Sequence, residues 1–77
     1  MKIEWKQTGN DPEDLIAKIG KDTLRVERMD KNYVWWSVWI GDDGYDCHHS
    51  KLPRAKTIDE AKKQCIDKYL EVIKSKK

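Results

Sequence analysis

The sequence predicts an α+β domain, an antiparallel β-meander sheet of four to five short strands packed on one face by a single C-terminal α-helix. Three observations carry that expectation. Short alternating apolar segments are separated by Gly- and Asp-containing turns. The segment Tyr33-Val34-Trp35-Trp36-Ser37-Val38-Trp39-Ile40 loads both faces of one strand with large side chains. From Ile58 onward the apolar spacing changes to three and four residues. With 77 residues the chain reads as one domain, 1–77, with a sheet over about 2–50, a linker over 51–56 and a helix over about 58–74.

Ile3-Glu4-Trp5-Lys6-Gln7 alternates as a first strand, and Thr8-Gly9-Asn10-Asp11-Pro12 reads as a turn. The next segment fits two structures. Asp11-Pro12-Glu13-Asp14 followed by Leu15, Ile16, Ile19 and Gly20 has the cap, N1 proline and closing glycine of a short helix over Pro12 to Ile19. Register favours a strand instead. Closing Gly20-Lys21-Asp22-Thr23 as a turn sets Ile19 opposite Leu24, Ala17 opposite Val26 and Leu15 opposite Arg28. Closing Asp30-Lys31-Asn32 sets Arg28 opposite Val34, Val26 opposite Trp36 and Leu24 opposite Val38. Closing Gly41-Asp42-Asp43-Gly44 sets Ile40 opposite Tyr45, Val38 opposite Cys47 and Trp36 opposite His49. All three turns place the same apolar set on one face, so a meander is expected.

Thr57-Ile58-Asp59-Glu60 is a capping box in which Thr57 accepts from the Glu60 N–H and Glu60 returns the bond. Ile58, Ala61, Cys65, Ile66, Tyr69, Leu70 and Ile73 then form a stripe wide enough to cover Val34, Trp36, Val38 and Ile40. Ser75, Lys76 and Lys77 are expected to fray.

A chain of this size buries only about 60% of its unfolded surface, so the core must be built from few, large side chains. Four Trp and three Tyr with no Phe suit that need. The mean hydropathy of −0.94 and 39% charged residues lean toward disorder, but the patterned apolar segments outweigh them. The net charge of +2 is polarised: residues 1–50 carry seven Lys/Arg against ten Asp/Glu, residues 51–77 nine against four. Such a split permits a basic face for nucleic acid, but equally fits a helix with acids early and lysines late. No apolar h-region follows Met1 and no run reaches membrane-spanning length; with two cysteines this makes a cytoplasmic protein the expectation, with no membrane partner.

Trp5 in a short first strand, Trp35 and Trp36 in a Trp-rich strand, the turn Gly41 to Gly44 and the helix start Thr57 to Lys62 together resemble small phage- and prophage-encoded proteins. That group includes anti-CRISPR and other anti-defence inhibitors. The resemblance implies a host protein partner, such as a CRISPR-Cas or other defence component, and carries no site residue with it.

Tyr33, Trp35 and Trp39 share the strand face opposite the helix, with Arg25, Glu27 and Met29 expected beside them. Exposed Trp, Tyr and Arg are what interface hot spots are made of, so Tyr33, Trp35, Trp39 and Arg25 are the candidate partner-binding residues. The competing role for the same rings is a second small core under strand 1, a terminus or a homodimer partner. An alternative nucleic-acid surface is formed by Lys62, Lys63, Lys68 and Arg54, with bases stacking on Trp35 or Trp39; Asp59, Glu60, Asp67 and Glu71 interrupt it. Cys47 and His49 are expected two apart on one strand face near Cys65. The four ligands and close Cys pair of a structural zinc are missing, so no metal or other cofactor is expected, and the expectation is two buried thiols and a satisfied histidine. Neighbouring Cys47 and His48 point to opposite faces of a strand, which separates nucleophile from base; no catalytic residue is assigned and no enzyme is expected.

Overall fold

The computed structural model describes residues 3–75. The expected start of the sheet at position 2 and the lysines at 76 and 77 lie outside the described residues. Five strands, β1 (Lys6–Gln7), β2 (Asp14–Ile19), β3 (Asp22–Asp30), β4 (Tyr33–Ile40) and β5 (Asp43–Asp46), form one antiparallel sheet in the order of the sequence. A 3₁₀ turn over Cys47–His49 leads into the linker and then into α1 (Ile58–Ser75), which packs on β3 and β4. The fold is the α+β meander with one covering helix that the sequence predicts.

Residues 14–19 are strand and not helix. Their partners on β3 are Leu15↔Val26, Ile16↔Arg25, Ala17↔Leu24 and Ile19↔Asp22, two residues away from the expected register. The cause is turn length. Only Gly20 and Lys21 turn, with Gly20 at φ +62°, the first central position that a type II′ hairpin reserves for glycine. The β4–β5 turn repeats this solution: Gly41 also has φ +62°, and the pairs are Ile40↔Asp43 and Val38↔Tyr45, again two residues from expectation. The β3–β4 register is as expected, with Leu24↔Val38, Val26↔Trp36 and Arg28↔Val34, and a bulge at Met29 absorbs the odd residue before Asp30↔Tyr33.

The first strand is shorter than expected, because only Lys6 and Gln7 pair, with Ile16 and Leu15. At the other edge β5 accompanies β4 only from Ser37 to Ile40. Beyond it the linker takes over: Val34 donates to the Ala55 carbonyl at 2.9 Å.

Between sheet and helix lie Leu24, Val26, Val34, Trp36 and Val38, all fully buried, against Ala61, Cys65 and Tyr69. Val72 is buried as well, whereas Ile58, Ile66, Leu70 and Ile73 sit half-buried at the margins of the stripe. The Trp36 indole N–H donates to Gln64 Oε1 at 3.1 Å, and Gln64 Nε2 donates to the Pro53 carbonyl at 3.0 Å, so one glutamine satisfies the buried ring and docks the linker. Asp22 does similar work at the other end. Its carboxylate accepts from Tyr69 Oη at 2.8 Å and from the Gly41 amide at 3.2 Å, tying α1 to two hairpin turns.

Thr57 caps α1 as expected, with Oγ1 accepting from the Glu60 amide at 3.1 Å. The return half of the box differs: Thr57 Oγ1 lies 3.5 Å from Glu60 Oε1, a hydroxyl-to-carboxylate contact in place of a bond to the Thr57 N–H. Ser75, expected to fray, closes the last helical turn by donating from Oγ to the Val72 carbonyl at 2.9 Å.

Candidate functional site

Period-two alternation leaves one sheet face without the helix. Across β2 to β5 it presents, in register, the rows Asp14, Glu27, Trp35; then Ile16, Arg25, Ser37, Asp46; then Lys18, Thr23, Trp39, Gly44. Trp39 is 50% exposed and Trp35 is partly exposed, and neither ring belongs to the packed core. Between them Ser37 is only 4% exposed and forms the floor of a notch of about 180 Å³, whose remaining rim is Gly44, Tyr45 and Asp46.

Trp39 owes its position to Gly44. The far edge of the indole lies across that glycine so closely that a Cβ there would stand 2.8 Å from Cη2 and 2.9 Å from Cζ3. The ring covers the bare backbone of the edge strand and keeps its other side toward solvent. Asp46 accepts from the His48 amide at 2.8 Å, and His49 Nδ1 accepts from the Asp46 amide at 3.0 Å, a reciprocal capping box at the N-terminal end of the 3₁₀ turn.

The other two expected contact residues are held differently. Arg25 Nε and Nη2 donate to the two oxygens of Asp14 at 3.1 and 2.9 Å, with Glu27 3.6 Å away, so the guanidinium points toward β2 and away from the tryptophans. That hydrogen bonding outweighs desolvation and raises the Arg25 pKa above its ordinary value. Tyr33 is fastened to the sheet edge, its hydroxyl 3.2 Å from Cys47 Sγ and its ring 4.9 Å beneath the Arg54 guanidinium. Burial, with help from the Cys47 contact, pushes its phenol up to about 12. Met29, expected on this face beside Arg25 and Glu27, is the bulge residue and stands 56% exposed.

The candidate lysines are dispersed. Lys62 Nζ lies 5.5 Å from the Trp5 ring on the β1 side of the helix, and Lys68 Nζ lies 5.9 Å from the Tyr45 ring on the β5 side. Lys68 also donates to the His49 carbonyl at 3.2 Å and sits 3.8 Å from Glu71. Lys63 borders a cleft between α1 and the linker with Glu60, Asp67 and Leu52, and Arg54 is on Tyr33. These four cations form no single stripe.

Cys47 and His49 belong to the 3₁₀ turn, not to a strand face, which corrects the expected arrangement with Cys65. Both thiols are free; Cys65 is buried but Cys47 only half-buried, against the expectation of two buried thiols. Burial pushes the Cys65 thiol up to about 12, and its proton is donated to the Ser37 carbonyl at 3.3 Å. Among the described residues no group of three His, Cys, Asp or Glu side chains is placed to hold a metal ion, and no helix is long and apolar enough to cross a membrane. The roles of Gln64, Asp22 and Gly44 escaped sequence reasoning, because each depends on a partner more than ten residues away or on a register that was two residues off. No known protein family, curated protein or solved structure matches the chain.

Proposed function

We propose that this protein is a non-enzymatic binding module that contacts a partner protein through its helix-free sheet face, with Trp35 and Trp39 as the anchors. The observation that carries this is the opposite treatment of tryptophans on one strand: Trp36 is completely buried under α1 while Trp39, three residues on, keeps half its surface in solvent. Large exposed aromatics beside a recessed small residue are the makings of an interface hot spot. The finer role, inhibition of a host defence factor, is carried by the resemblance of the Trp-rich strand and the Thr57 to Lys62 helix start to phage proteins. Nucleic-acid binding has less support, because Lys62 and Lys68 flank the helix on the side of the sheet away from Trp35 and Trp39.

Immobilised wild-type protein, Trp39→Ala and the double variant Lys62→Glu/Lys63→Glu, each exposed to nuclease-treated lysate of the encoding host, test the proposal. A protein retained by wild type and by the lysine variant but lost from Trp39→Ala is the expected result. Loss from the lysine variant alone, or a partner released by nuclease, transfers the function to the basic residues.

A further inference from the structure

We infer that the notch between Trp35 and Trp39 accepts a cationic side chain, arginine foremost, from the partner protein. This deepens the proposed protein-binding role of the open face and rests on it. The notch, at about 180 Å³, is smaller than the ~300–1,000 Å³ of sites that enclose whole small molecules, and suits one long side chain. Its walls are two indoles, the rings that attract cations most strongly, and its floor is the recessed Ser37.

The charge around the notch has the complementary sign. Asp46 is on its rim with the side chain 32% exposed, and Glu27 stands across from Trp35, 34% exposed. Asp14 is bound by the Arg25 guanidinium, which also lies 3.6 Å from Glu27, and Lys18 stands two strands from Trp39 on the same face, so the charge that lines the notch itself is the Asp46 carboxylate. An arginine can stack its planar group on an indole while its N–H groups reach a carboxylate, and Asp46 retains acceptor capacity beyond its bond from His48.

The chain's own aromatics show the same chemistry in use. Tyr33, Trp5 and Tyr45 each carry a cation, from Arg54 at 4.9 Å, Lys62 at 5.5 Å and Lys68 at 5.9 Å respectively. Among the described residues no Lys or Arg stands over Trp35 or Trp39, so these are partly exposed rings with a face left for a cation from outside.

The test is a titration of ¹⁵N-labelled protein with the capped peptide Gly-Gly-Arg-Gly-Gly, following the indole N–H resonances of Trp35 and Trp39 with Trp5 and Trp36 as internal controls. The citrulline peptide, nearly identical in shape but neutral, is the comparison. The arginine peptide is expected to move Trp35 and Trp39 selectively and to bind at least about fivefold more tightly than the citrulline peptide. Glu27→Gln and Asp46→Asn, the latter keeping an oxygen for the His48 amide, are each expected to weaken it about twofold to fivefold. Equal binding of the two peptides, movement of Trp5 in place of Trp35 and Trp39, or no movement at millimolar peptide overturns the assignment. So does a single-stranded oligothymidylate that shifts the same two resonances more strongly than the arginine peptide. If these negative results accompany a Trp39→Ala variant that still loses its protein partner, the cation assignment alone fails. If Trp39→Ala keeps the partner, the open face fails as the binding surface.

Discussion

The two faces of β4 carry the same residue type in opposite states. On the helix side Trp36 has no exposed surface, its indole N–H is satisfied by Gln64, and Val26 stands across from it. On the other side Trp39 shows half its surface to water and rests on Gly44, and Trp35 is partly exposed. A single helix can cover only one side of a five-stranded sheet, and the open side is where the chain keeps rings that contribute little to its core. The comparison separates residues that hold the fold from residues available for recognition, and each side can be broken independently.

The largest effect is expected on the covered side. Trp36→Ala should destabilise the protein by about 3–5 kcal/mol, through cavity formation and the orphaning of Gln64, whereas Trp39→Ala should cost about 1 kcal/mol or less. Denaturant melts of the two variants measure the contrast. Similar losses would mean that both rings are structural and would leave the open face without its anchors.

Alkaline pH probes the same side through Cys65. Its thiol is held up at about 12 by burial, against an ordinary value of 9.0, so above pH 9 the unfolded chain gives up the proton while the folded chain keeps it. The unfolded state then binds fewer protons and stability falls as pH rises: the contribution is whole below pH 9.0 and is lost toward pH 12, on the order of a few kcal/mol. Tyr33 and Tyr69, also raised by burial, add to the decline from pH 10 upward. Cys65→Ser, whose hydroxyl does not titrate there, should flatten the first part of the curve between pH 9 and pH 10 relative to wild type. An unchanged slope in chemical melts across that interval would show that the thiol is not sequestered. Cys47, half-buried at the sheet edge, should react with a thiol reagent in the native protein while Cys65 waits for unfolding.

Asp22 tests whether the helix is clamped onto the covered side by its hydrogen bonds as well as by apolar contact. Asp22→Ala removes the acceptor of Tyr69 Oη and of the Gly41 amide and should cost about 1–3 kcal/mol. Tyr69→Phe should recover part of that loss in the double variant, because the hydroxyl is then no longer left without its partner. Additive losses would show that the two groups act separately.

The sequence made the covered face legible more reliably than the register that builds it. Two of three hairpins are displaced by two residues from the expected register, because Gly20-Lys21 and Gly41-Asp42 suffice where the sequence suggests four-residue turns. An even slip returns every side chain to the same face, so the pattern assigns Ala17, Leu24, Val38 and Trp36 to the core even where their cross-strand partners differ from expectation. The same slip was costly at the site. It put Gly44 out of reach of Trp39 and extended β5 into Cys47 to His49, where the side chain of Asp46 in fact starts a 3₁₀ turn. Arg25 was legible as an open-face residue but not as the partner of Asp14, since that pair depends on the β2–β3 register.

The smallest stability effect bears most directly on the open face. Gly44 has no positive φ to protect, so an alanine there meets no backbone strain; what it meets is the far end of the Trp39 ring at 2.8 Å. That end belongs to a flexible side chain with solvent on its other side, and it can swing away. Gly44→Ala is therefore expected to change stability by less than about 1 kcal/mol, the size usual for surface substitutions. The consequence for the notch is larger, since Trp39 is one of its two walls. The Trp39 indole resonance should shift while that of Trp36 stays in place, and binding through the open face should weaken even though no side chain has been removed. If Gly44→Ala leaves the Trp39 resonance and partner binding unchanged, the ring does not need its glycine seat. If it unfolds the domain, the open face contributes to stability as the covered face does, and the division between the two sides of β4 is lost.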